Sequence, residues 1–430
     1  MRTIRVAVAG LGAVGRETVR LLRSNRGRFA RRLGASIELA AVCDRQSRRE
    51  ARALGLPASV ALFNDPAELA RRDDLDIIVE LLGGFAAPRR LALTALNAGR
   101  HVVTANKRLI SRSWPQLQAA ASRSGARLRF EGSVAGGIPL LQALDTSFAA
   151  NRIESVYGIL NGTTNYILSA MERGLSAASA LASAQRLGFA EKDPRLDISG
   201  RDTAQKISVL AALLTGAALP EDRIAREGIE RVEAEDVSFA RSTLGRTPRL
   251  IGTLRLQWGS PVRAEASVFP TLVPLDHPLA AVRGEYNAVL VNTSSADDLM
   301  FYGKGAGAGP TASAVVGDVF SLARDLVGKI PARPARALSV ESLPVERSVS
   351  SFYLRLSARD KPGVLAAAAS ALAREGISIA TIHQSGKRRG GGVPVILTTH
   401  PSSSGAFMRA RRRIAALAQV GRAATVMRML

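Results

Sequence analysis

Hydrophobic and polar residues along the first 130 positions form a pattern that predicts strands and helices in alternation. Short apolar runs rich in β-branched residues indicate buried strands, and runs with apolar positions three and four apart indicate amphipathic helices. Strands are expected at 4–9, 37–42, 77–81, 101–104 and 127–130, and helices include 88–98 and 114–124. This alternation predicts a doubly wound α/β domain of the Rossmann type, with ligands beyond the carboxyl ends of its strands.

The pattern changes after Phe130. Strand-like segments recur at 153–161, 249–257, 262–270 and 288–293, and an apolar helix is expected from Thr203 to Leu214. We therefore predict an α+β domain for catalysis and dimerisation over 131–302. A helix ending near Leu326 is expected to return to the first domain, which would comprise 1–130 completed by about 303–330.

The C-terminal part has its own pattern. Residues 331–350 contain three prolines and four serines without a clear period, which predicts a linker. Residues 351–430 show the order βαββα with a last strand at 423–427. That order predicts a separate, small ferredoxin-like domain.

Composition narrows the classes of function. The net charge is +23 and the pI about 11.4, but basic residues are spread along the chain and aromatic residues make up only 4%, too few for base-stacking surfaces. The charge is therefore interpreted as an arginine-rich surface, without a nucleic-acid partner. Cys43, the only cysteine, excludes an intramolecular disulfide and a cysteine-cluster metal site. No apolar run reaches membrane-spanning length, so a cytoplasmic protein without a membrane partner is expected.

A dinucleotide-binding motif follows the first strand. Its glycines are Gly10, Gly12 and Gly15, with Ala13 and Val14 opening a helix whose N-terminal amides can face a pyrophosphate. The second strand ends at Asp44, which could accept the ribose hydroxyls, and Arg45 could tolerate a 2′-phosphate. The interval between Gly15 and Asp44 exceeds the usual spacing, so an insertion is expected at 25–36. The sequence leaves NAD and NADP both open.

The densest chemistry lies at 188–206, which holds four carboxylates and two lysines. Asp202 and Lys206 are four residues apart and would share one helical face. A solvent-exposed salt bridge is the alternative interpretation. Only seven of the 59 basic residues are lysine, and Lys107 and Lys206 are the two in site-like surroundings. A lysine can exchange a proton, whereas a guanidinium cannot.

Glycines recur at 303–309 before a helix, as either a second cofactor contact or a flexible connector. Together these motifs resemble homoserine dehydrogenase in its longer bacterial form with a C-terminal ACT domain. The most specific segments are Thr104–Lys107, Asn161–Tyr166, Gly188–Pro194 with Gly200–Lys206, and Gly303–Gly307.

The resemblance implies NAD(P)-dependent, reversible reduction of L-aspartate 4-semialdehyde to L-homoserine in threonine, methionine and isoleucine biosynthesis. Lys206 would be the acid/base, with Lys107 as second choice. Asp202, Glu191 and Asp197 would hold the substrate, and Gly83, Lys107, Gly188, Gly303 and Gly305 would contact the cofactor. Glu131 and the carbonyls of Val134, Gly136 and Ile138 would form a structural Na⁺ site.

The resemblance also implies partners. A homodimer or homotetramer is expected, and the ACT pattern at 360–365 and 376–379 makes L-threonine the expected effector. The basic loop 387–392 could spoil that pocket, and the ACT domain would then only dimerise. Truncation near Val345 is expected to abolish the threonine response and leave an active core.

Two other functions are alternatives. A thioester-forming semialdehyde dehydrogenase needs a cysteine in its cleft, and Cys43 is misplaced for that role. A Rossmann–ACT regulator that binds polyanions through the basic surface would lack homoserine-dependent turnover.

Overall fold

The computed structural model describes residues 2–332, 338–359, 361–384, 392–421 and 425–430. The chain divides into two compact units. Unit 1 comprises Met1–Ile153, Ser208–Glu221 and Phe301–Val340, and unit 2 comprises Glu154–Ile207, Asp222–Met300 and Glu341–Leu430. This division differs from the four segments expected from the sequence, whose residue boundaries stay predictions.

Strands and helices succeed one another along the described chain. The N-terminal elements are β1 (Thr3–Ala9), α1 (Ala13–Ser24), α2 (Arg26–Leu33), β2 (Ser36–Cys43), α3 (Ser47–Ala53), β3 (Ala61–Phe63), α4 (Pro66–Ala70), β4 (Ile77–Glu80), α5 (Ala86–Asn97), β5 (His101–Thr104), α6 (Lys107–Ser124) and β6 (Leu128–Arg129). The central elements are β7 (Ile153–Ile159), α7 (Gly162–Glu172), α8 (Ala177–Arg186), α9 (Arg195–Ile198), α10 (Arg201–Thr215), β8 (Ala225–Arg226), α11 (Ala234–Ser242), β9 (Arg246–Gln257), β10 (Val262–Pro274), β11 (Tyr286–Thr293), β12 (Asp297–Lys304) and α12 (Ala308–Val327). The C-terminal elements are β13 (Val340–Ser342), β14 (Val349–Ala358), α13 (Val364–Ala373), β15 (Ile379–Gln384), β16 (Val393–Thr399), β17 (Ser402–Ser403), α14 (Ser404–Ala415) and β18 (Thr425–Met429).

Unit 1 contains a six-stranded parallel sheet with the strand order β3-β2-β1-β4-β5-β6. This is the strand order of dinucleotide-binding domains, and the predicted doubly wound fold is confirmed. Apolar side chains of α12, among them Val315 and Val319, share one buried core with Val6 and Val8 of β1. Burial of this apolar surface, at about 25 cal/mol per Å², is the main stabilising contribution to the unit.

Unit 2 contains a mixed sheet that passes through β11-β7-β9-β10-β18-β14-β16-β15. Its centre is the long antiparallel pair β9 and β10, in which Arg263 lies opposite Gln257. The last strand, β18, pairs with β10 in parallel at Thr271↔Arg428 and with β14 in antiparallel. The C-terminal module is therefore continuous with the central sheet rather than separate from it.

The order βαββαβ predicted for the C-terminal module is present as β14, α13, β15, β16, α14 and β18. Its core includes a stacked pair, Phe352 and Phe407, with ring centroids 3.9 Å apart. The segment predicted as a linker contains β13 and a 3₁₀ turn at Val345–Arg347, and the Leu343 amide donates to the Ala264 carbonyl. None of the described helices is both long and apolar enough to span a bilayer.

Two local predictions are corrected by the structure, and a third is described more closely. Helix α6 begins at Lys107 rather than Trp114, because the Asn106 side chain caps it by accepting from the Leu109 amide at 3.0 Å. The insertion expected at 25–36 is largely a helix, α2. The glycine-rich loop is shorter than expected, since β12 extends through Lys304.

Candidate active site

The surroundings of Gly10, Gly12 and Gly15 in the glycine loop of unit 1 explain the need for glycine at these positions. A Cβ on Gly10 (φ 94°) would lie 2.4 Å from the Leu81 carbonyl oxygen, and one on Gly15 would lie 1.8 Å from the Gly10 oxygen. A Cβ on Gly12 would meet nothing within 4 Å. Helix α1 begins at Ala13, directly after Gly12. The loop therefore packs closely against backbone at Gly10 and Gly15 and is open at Gly12, where a pyrophosphate can approach the helix N-terminus.

Asp44 is tied to this loop. One carboxylate oxygen accepts from the Leu11 amide at 2.9 Å and the other from the Gln46 amide at 3.0 Å. Each carboxylate oxygen can accept a further bond, so the ribose hydroxyls still have acceptors. Asp44 is half-buried and Arg45 is exposed. The sequence prediction did not foresee that Asp44 also braces the glycine loop.

A buried carboxyl at the end of β4 was missed by the sequence analysis. Glu80 accepts from the Thr104 hydroxyl at 2.6 Å and from the Leu82 amide at 2.7 Å. Burial raises the pKa of Glu80 to about 7, against the lowering effect of these two hydrogen bonds. Thr104 in turn accepts from the amide of Asn106, whose side chain donates to the Gly84 carbonyl.

This network orders the carboxyl ends of β4 and β5, where ligands of such sheets bind. It sets the loop that follows Gly83 and the first turn of α6, in which Lys107 is half-buried. The sequence did contain a signal for Glu80, since it is the acidic last residue of the otherwise apolar strand β4.

The glycines at 303–307 pack against another loop of unit 1. A Cβ on Gly136 would lie 2.7 Å from the Gly305 carbonyl oxygen, and one on Gly303 would lie 3.1 Å from the Ile138 side chain. The Gly137 amide donates to the Lys304 carbonyl at 3.0 Å. Close backbone approach therefore explains these glycines by itself, and their cofactor contact stays a prediction.

The residues expected to hold Na⁺ lie together in unit 1. The Glu131 carboxylate accepts from the amides of Leu141 and Gln142, at 2.9 and 2.7 Å, so its side chain caps backbone. In the part of the chain that the structure describes, no loop or turn hydrogen bond reaches the carbonyl oxygens of Val134 and Gly136, which are buried. No cluster of three acidic, histidine or cysteine side chains suited to a metal occurs among the described residues.

Burial shifts two carboxyl groups near this loop. It raises the pKa of Glu131, and it raises the pKa of Asp318 to about 7. The Glu131 amide donates to Asp318 at 2.8 Å, and the Glu131 charge adds to the upward shift of Asp318.

Lys206 and Asp202 form a buried pair on α10 in unit 2. The Lys206 Nζ donates to Asp202 Oδ2 at 2.7 Å and to the carbonyl of Leu160 at 2.6 Å. Their side chains are only 11% and 10% exposed, so the interpretation as a solvent-exposed salt bridge is wrong. Two of the three ammonium hydrogens are thereby engaged, and the third remains for a ligand.

Asn161 joins this pair to the preceding acidic segment. Its Nδ2 donates to Asp197 at 2.7 Å and to Asp202 at 2.9 Å, and its Oδ1 accepts from the Thr164 amide at the start of α7. No role for Asn161 was predicted from the motif at 161–166. An asparagine directly after an apolar strand, at a helix N-cap, was the available signal.

Glu191 and Gly188 belong to the exposed segment between α8 and α9 in the same unit. Glu191 is exposed, and its backbone carbonyl accepts from the Gln185 side chain at 3.1 Å. Gly188 is exposed with φ 77°, ending the turn after α8. The structure brings Asp197, Asp202 and Lys206 together, whereas the roles of Glu191 and Gly188 stay predictions.

Cys43 is fully buried, and burial followed by the Asp44 charge raises the pKa of its thiol to about 12. A protonated, buried thiol is a poor nucleophile, which argues against the thioester mechanism.

The fold and the chemistry of the two units define a class: an NAD(P)-dependent oxidoreductase with a ferredoxin-like C-terminal module. Unit 1 provides the dinucleotide-binding loop, and unit 2 provides a buried ammonium that can serve a reacting oxygen.

Comparisons with known proteins identify the family within this class. Residues 10–131 match the model of the homoserine dehydrogenase NAD-binding domain, residues 139–320 that of homoserine dehydrogenase, and residues 352–416 that of the ACT domain. The chain is 38% identical to a homoserine dehydrogenase of Neisseria gonorrhoeae, over 100% of this chain and 99% of that one. It is 40% identical to one of Mycobacterium tuberculosis, over 94% and 93%. The crystal structure of a homoserine dehydrogenase from Thiobacillus denitrificans has a TM-score of 0.90 and 37% identity, with 100% and 99% covered.

The chain belongs to the homoserine dehydrogenase family. It is an oxidoreductase that interconverts L-aspartate 4-semialdehyde and L-homoserine with NAD(P), a step of amino-acid biosynthesis. The nucleic-acid-binding regulator is not favoured by these comparisons.

Proposed function

We propose that Lys206 is the proton donor for reduction of the aldehyde and the proton acceptor in the reverse reaction. The observation that carries the proposal is the buried ammonium, held by Asp202 at 2.7 Å and by the Leu160 carbonyl at 2.6 Å. The nicotinamide cofactor supplies or accepts the hydride when bound. Hydride arrival places negative charge on the aldehyde oxygen, and the remaining N–H of Lys206 stabilises that charge and supplies the proton.

The surrounding side chains have separate roles in this proposal. Asp202 orients Lys206, and Asn161 holds the Asp202 and Asp197 carboxylates close to each other by donating a hydrogen bond to each. Asp197 and the exposed Glu191 provide negative charge for the substrate's ammonium group, with Glu191 as its main partner. Lys107, in the first turn of α6, contacts cofactor and substrate, and is the second candidate for the proton donor.

Turnover of Lys206 variants tests the proposal. Lys206→Ala should lower kcat by about 10²- to 10⁴-fold with little change in cofactor Kd, since acid/base groups contribute on that scale. Lys206→Arg should also be poor because a guanidinium keeps its proton. Lys192→Ala, an exposed lysine nearby, is the matched control and should be close to wild type. Near-wild-type turnover of Lys206→Ala would assign the role to Lys107.

We propose that NAD is preferred over NADP. A carboxylate at Asp44 repels a 2′-phosphate, and the bond from the Leu11 amide holds that carboxylate beside the glycine loop. Because Asp44→Ser would also release this loop, Arg45 gives a cleaner test. Arg45→Ala should lower kcat/KM with NADP and leave the NAD value unchanged. A lower KM for NADP than for NAD in the unaltered protein would contradict the assignment.

A monovalent cation, Na⁺ by family likeness, is proposed at the carbonyl oxygens of Val134, Gly136 and Ile138. The backbone there fits a cation: Ala135 has φ 54° and Gly136 φ 36°, and no backbone amide of the described loops donates to the carbonyls of Val134 and Gly136. Backbone oxygens are suitable ligands for hard cations. Exchange of NaCl for choline chloride at constant ionic strength should lower Tm, and Gly136→Ala should remove the difference. An identical Tm in both salts would refute the site.

The ACT module is proposed to bind L-threonine. A cavity of about 210 Å³ lies at the turn between β14 and α13, lined by Lys361, Pro362, Gly363 and Leu365 among others. Asp360 and residues 385–391, and thus most of the loop 387–392, lie outside the described residues.

Point variants test the effector site better than truncation near Val345. Asp236, which is fully buried, accepts from the Tyr353 hydroxyl and from Arg355, so truncation would leave a buried acid without its cationic partner. Leu365→Trp should fill the cavity and abolish threonine binding in calorimetry. Ala366→Trp, at the exposed neighbouring position, is the control and should still bind. Absence of binding to the unaltered chain would leave the module a structural role.

A homodimer is proposed through the strand β15, which pairs in the described residues with β16 alone. Ile382 on this strand is 46% exposed, and an open apolar edge favours pairing with a second copy. Ile382→Lys should halve the mass in light scattering, whereas Leu275→Lys, equally exposed at 45%, should not. A monomeric wild type would contradict this proposal.

A further inference from the structure

One short segment of unit 2 contacts both the ACT module and the acidic segment beside Lys206. This bridging segment comprises residues 225–236. At Glu227 it accepts a bidentate bond from Arg411 of α14, with N–O distances of 2.7 and 2.9 Å. The two side chains are only 24% and 20% exposed. Paired, partly buried guanidinium–carboxylate geometry fixes position more firmly than a single surface contact does.

The far end of the bridging segment is also held by the ACT module. Arg355 of β14 donates to Asp236 at 2.6 and 3.0 Å, and the Thr425 hydroxyl of β18 donates to the Arg231 carbonyl at 2.6 Å. The Glu227 amide donates to Val268 of β10 at 2.9 Å. The segment is therefore fixed to the module at two places and to the central sheet at a third.

Between these attachments the bridging segment touches the end of α9. The Ile229 amide donates to the Ile198 carbonyl at 2.8 Å. A Cβ on Gly228 would lie 2.0 Å from that same carbonyl oxygen and 2.6 Å from the Ser199 Cα. The two backbones are in direct contact, and close-packed contacts transmit strain, so a displacement of Glu227 is expected to shift the end of α9.

Helix α9 carries the substrate-side carboxylate. Asp197 is the neighbour of Ile198 and accepts from Asn161, which also binds Asp202, the partner of Lys206. Only one residue, Gly228, lies between Glu227 and Ile229, whose amide bonds the Ile198 carbonyl at the end of α9.

We propose that the Arg411–Glu227 pair sets the position of α9, so that the ACT module tunes the affinity of the active site for its amino-acid substrate. Glu227 and Arg411 are positioning residues, acting through Ile198 and Asp197. The inference rests on the proposed role of unit 2 in substrate binding. A ligand or a second copy bound to the module would change the affinity for the amino-acid substrate through this pair.

The full-length enzyme tests the proposal through four variants. Arg411→Ala and Glu227→Gln should each raise the KM for homoserine about 5-fold or more, the scale of a site-to-site coupling, with kcat and the KM for cofactor within about twofold of wild type. Arg412→Ala, the exposed neighbour on α14, removes the same charge and should leave every constant unchanged. The swapped variant Glu227→Arg with Arg411→Glu should recover most of the loss, because it remakes the pair.

Hydrogen exchange gives a readout independent of turnover. The Ile229 amide should exchange faster in Arg411→Ala than in Arg412→Ala, because its bond to Ile198 is weakened. An unchanged homoserine KM in both single variants, or a swapped variant as impaired as the two losses combined, would overturn the proposal. Failure of the Lys206 assignment would appear separately, as normal kcat in Lys206→Ala.

Discussion

The cofactor loop of unit 1 and the lysine network of unit 2 are built in different ways. The loop is built mainly from backbone: Gly10, Gly12 and Gly15 lie within six consecutive residues, and Asp44 is the side chain that braces it from the end of β2. The lysine network is made of side chains from two distant parts of the chain, Asn161 after β7 and Asp197, Asp202 and Lys206 around α9 and α10. A backbone site can be read from a contiguous motif, whereas a side-chain network requires the tertiary fold.

This difference predicts different responses to substitution. Changes in the lysine network should reduce turnover and leave folding intact. Changes in the glycine loop should lower stability where the glycine packs against backbone, as Gly15 does, and should weaken cofactor binding where it faces open space, as Gly12 does. The largest effect is expected on kcat when the lysine network is changed. The smallest is expected on the pH dependence of stability when the buried carboxyl Glu80 of unit 1 is changed.

Asp202→Asn should have the largest effect among the variants that compare the two sites. It removes the carboxylate that orients Lys206 and leaves a neutral group of the same shape, so kcat should fall by about 10²- to 10³-fold at nearly constant cofactor Kd. Asp193→Asn, an exposed acid that binds Arg195, is the matched control and should keep normal turnover. A wild-type kcat in Asp202→Asn would show that the buried pair is structural.

The two glycines Gly15 and Gly12 separate packing from ligand approach. Gly15→Ala places a Cβ 1.8 Å from the Gly10 carbonyl oxygen and should lower stability by about 1–3 kcal/mol or more, as overpacking does. Gly12→Ala meets nothing within 4 Å and should fold normally but bind cofactor more weakly. Chemical denaturation and cofactor titration measure the two effects. Equal stability losses in both variants would contradict the distinction.

Glu80→Gln should change the pH dependence of stability. In the folded chain the pKa of Glu80 is raised to about 7 by burial, whereas the unfolded chain has the ordinary value near 4.5. The folded state therefore holds a proton that the unfolded state releases, and stability falls as pH rises from about 5 to 8. Glu80→Gln should remove on the order of 2 kcal/mol of that decline. The Glu80→Gln variant should still lose some stability as pH rises, because the pKa of Asp318 is also raised to about 7. Parallel pH profiles for wild type and variant would refute the shift.

Much of this fold was predictable from local sequence patterns. The glycine motif, the βαββαβ order and the four-residue spacing of Asp202 and Lys206 depend on neighbours in sequence, and the structure has all three. The sequence pattern starts helix α6 too late because Pro115 in its interior reads as a helix boundary, although the Asn106 cap supports an earlier start.

The remaining features depend on contacts between distant residues. Strands β10 and β18 pair in parallel with Thr271 opposite Arg428, and no local sequence pattern predicts this pairing. Glu80 and Asn161 were missed because their roles come from partners that only the folded chain brings near, Thr104 for one and Asp197 for the other.

Chemical rescue tests the central claim, proton transfer by Lys206, most directly. Added alkylamines such as ethylamine should restore turnover to Lys206→Ala, with a rate that depends on the pKa of the amine, because the small amine replaces the missing ammonium. Wild type and Lys107→Ala should show no such gain. Rescue of Lys107→Ala, together with no response of Lys206→Ala to any amine, would contradict the account and make Lys107 the proton donor.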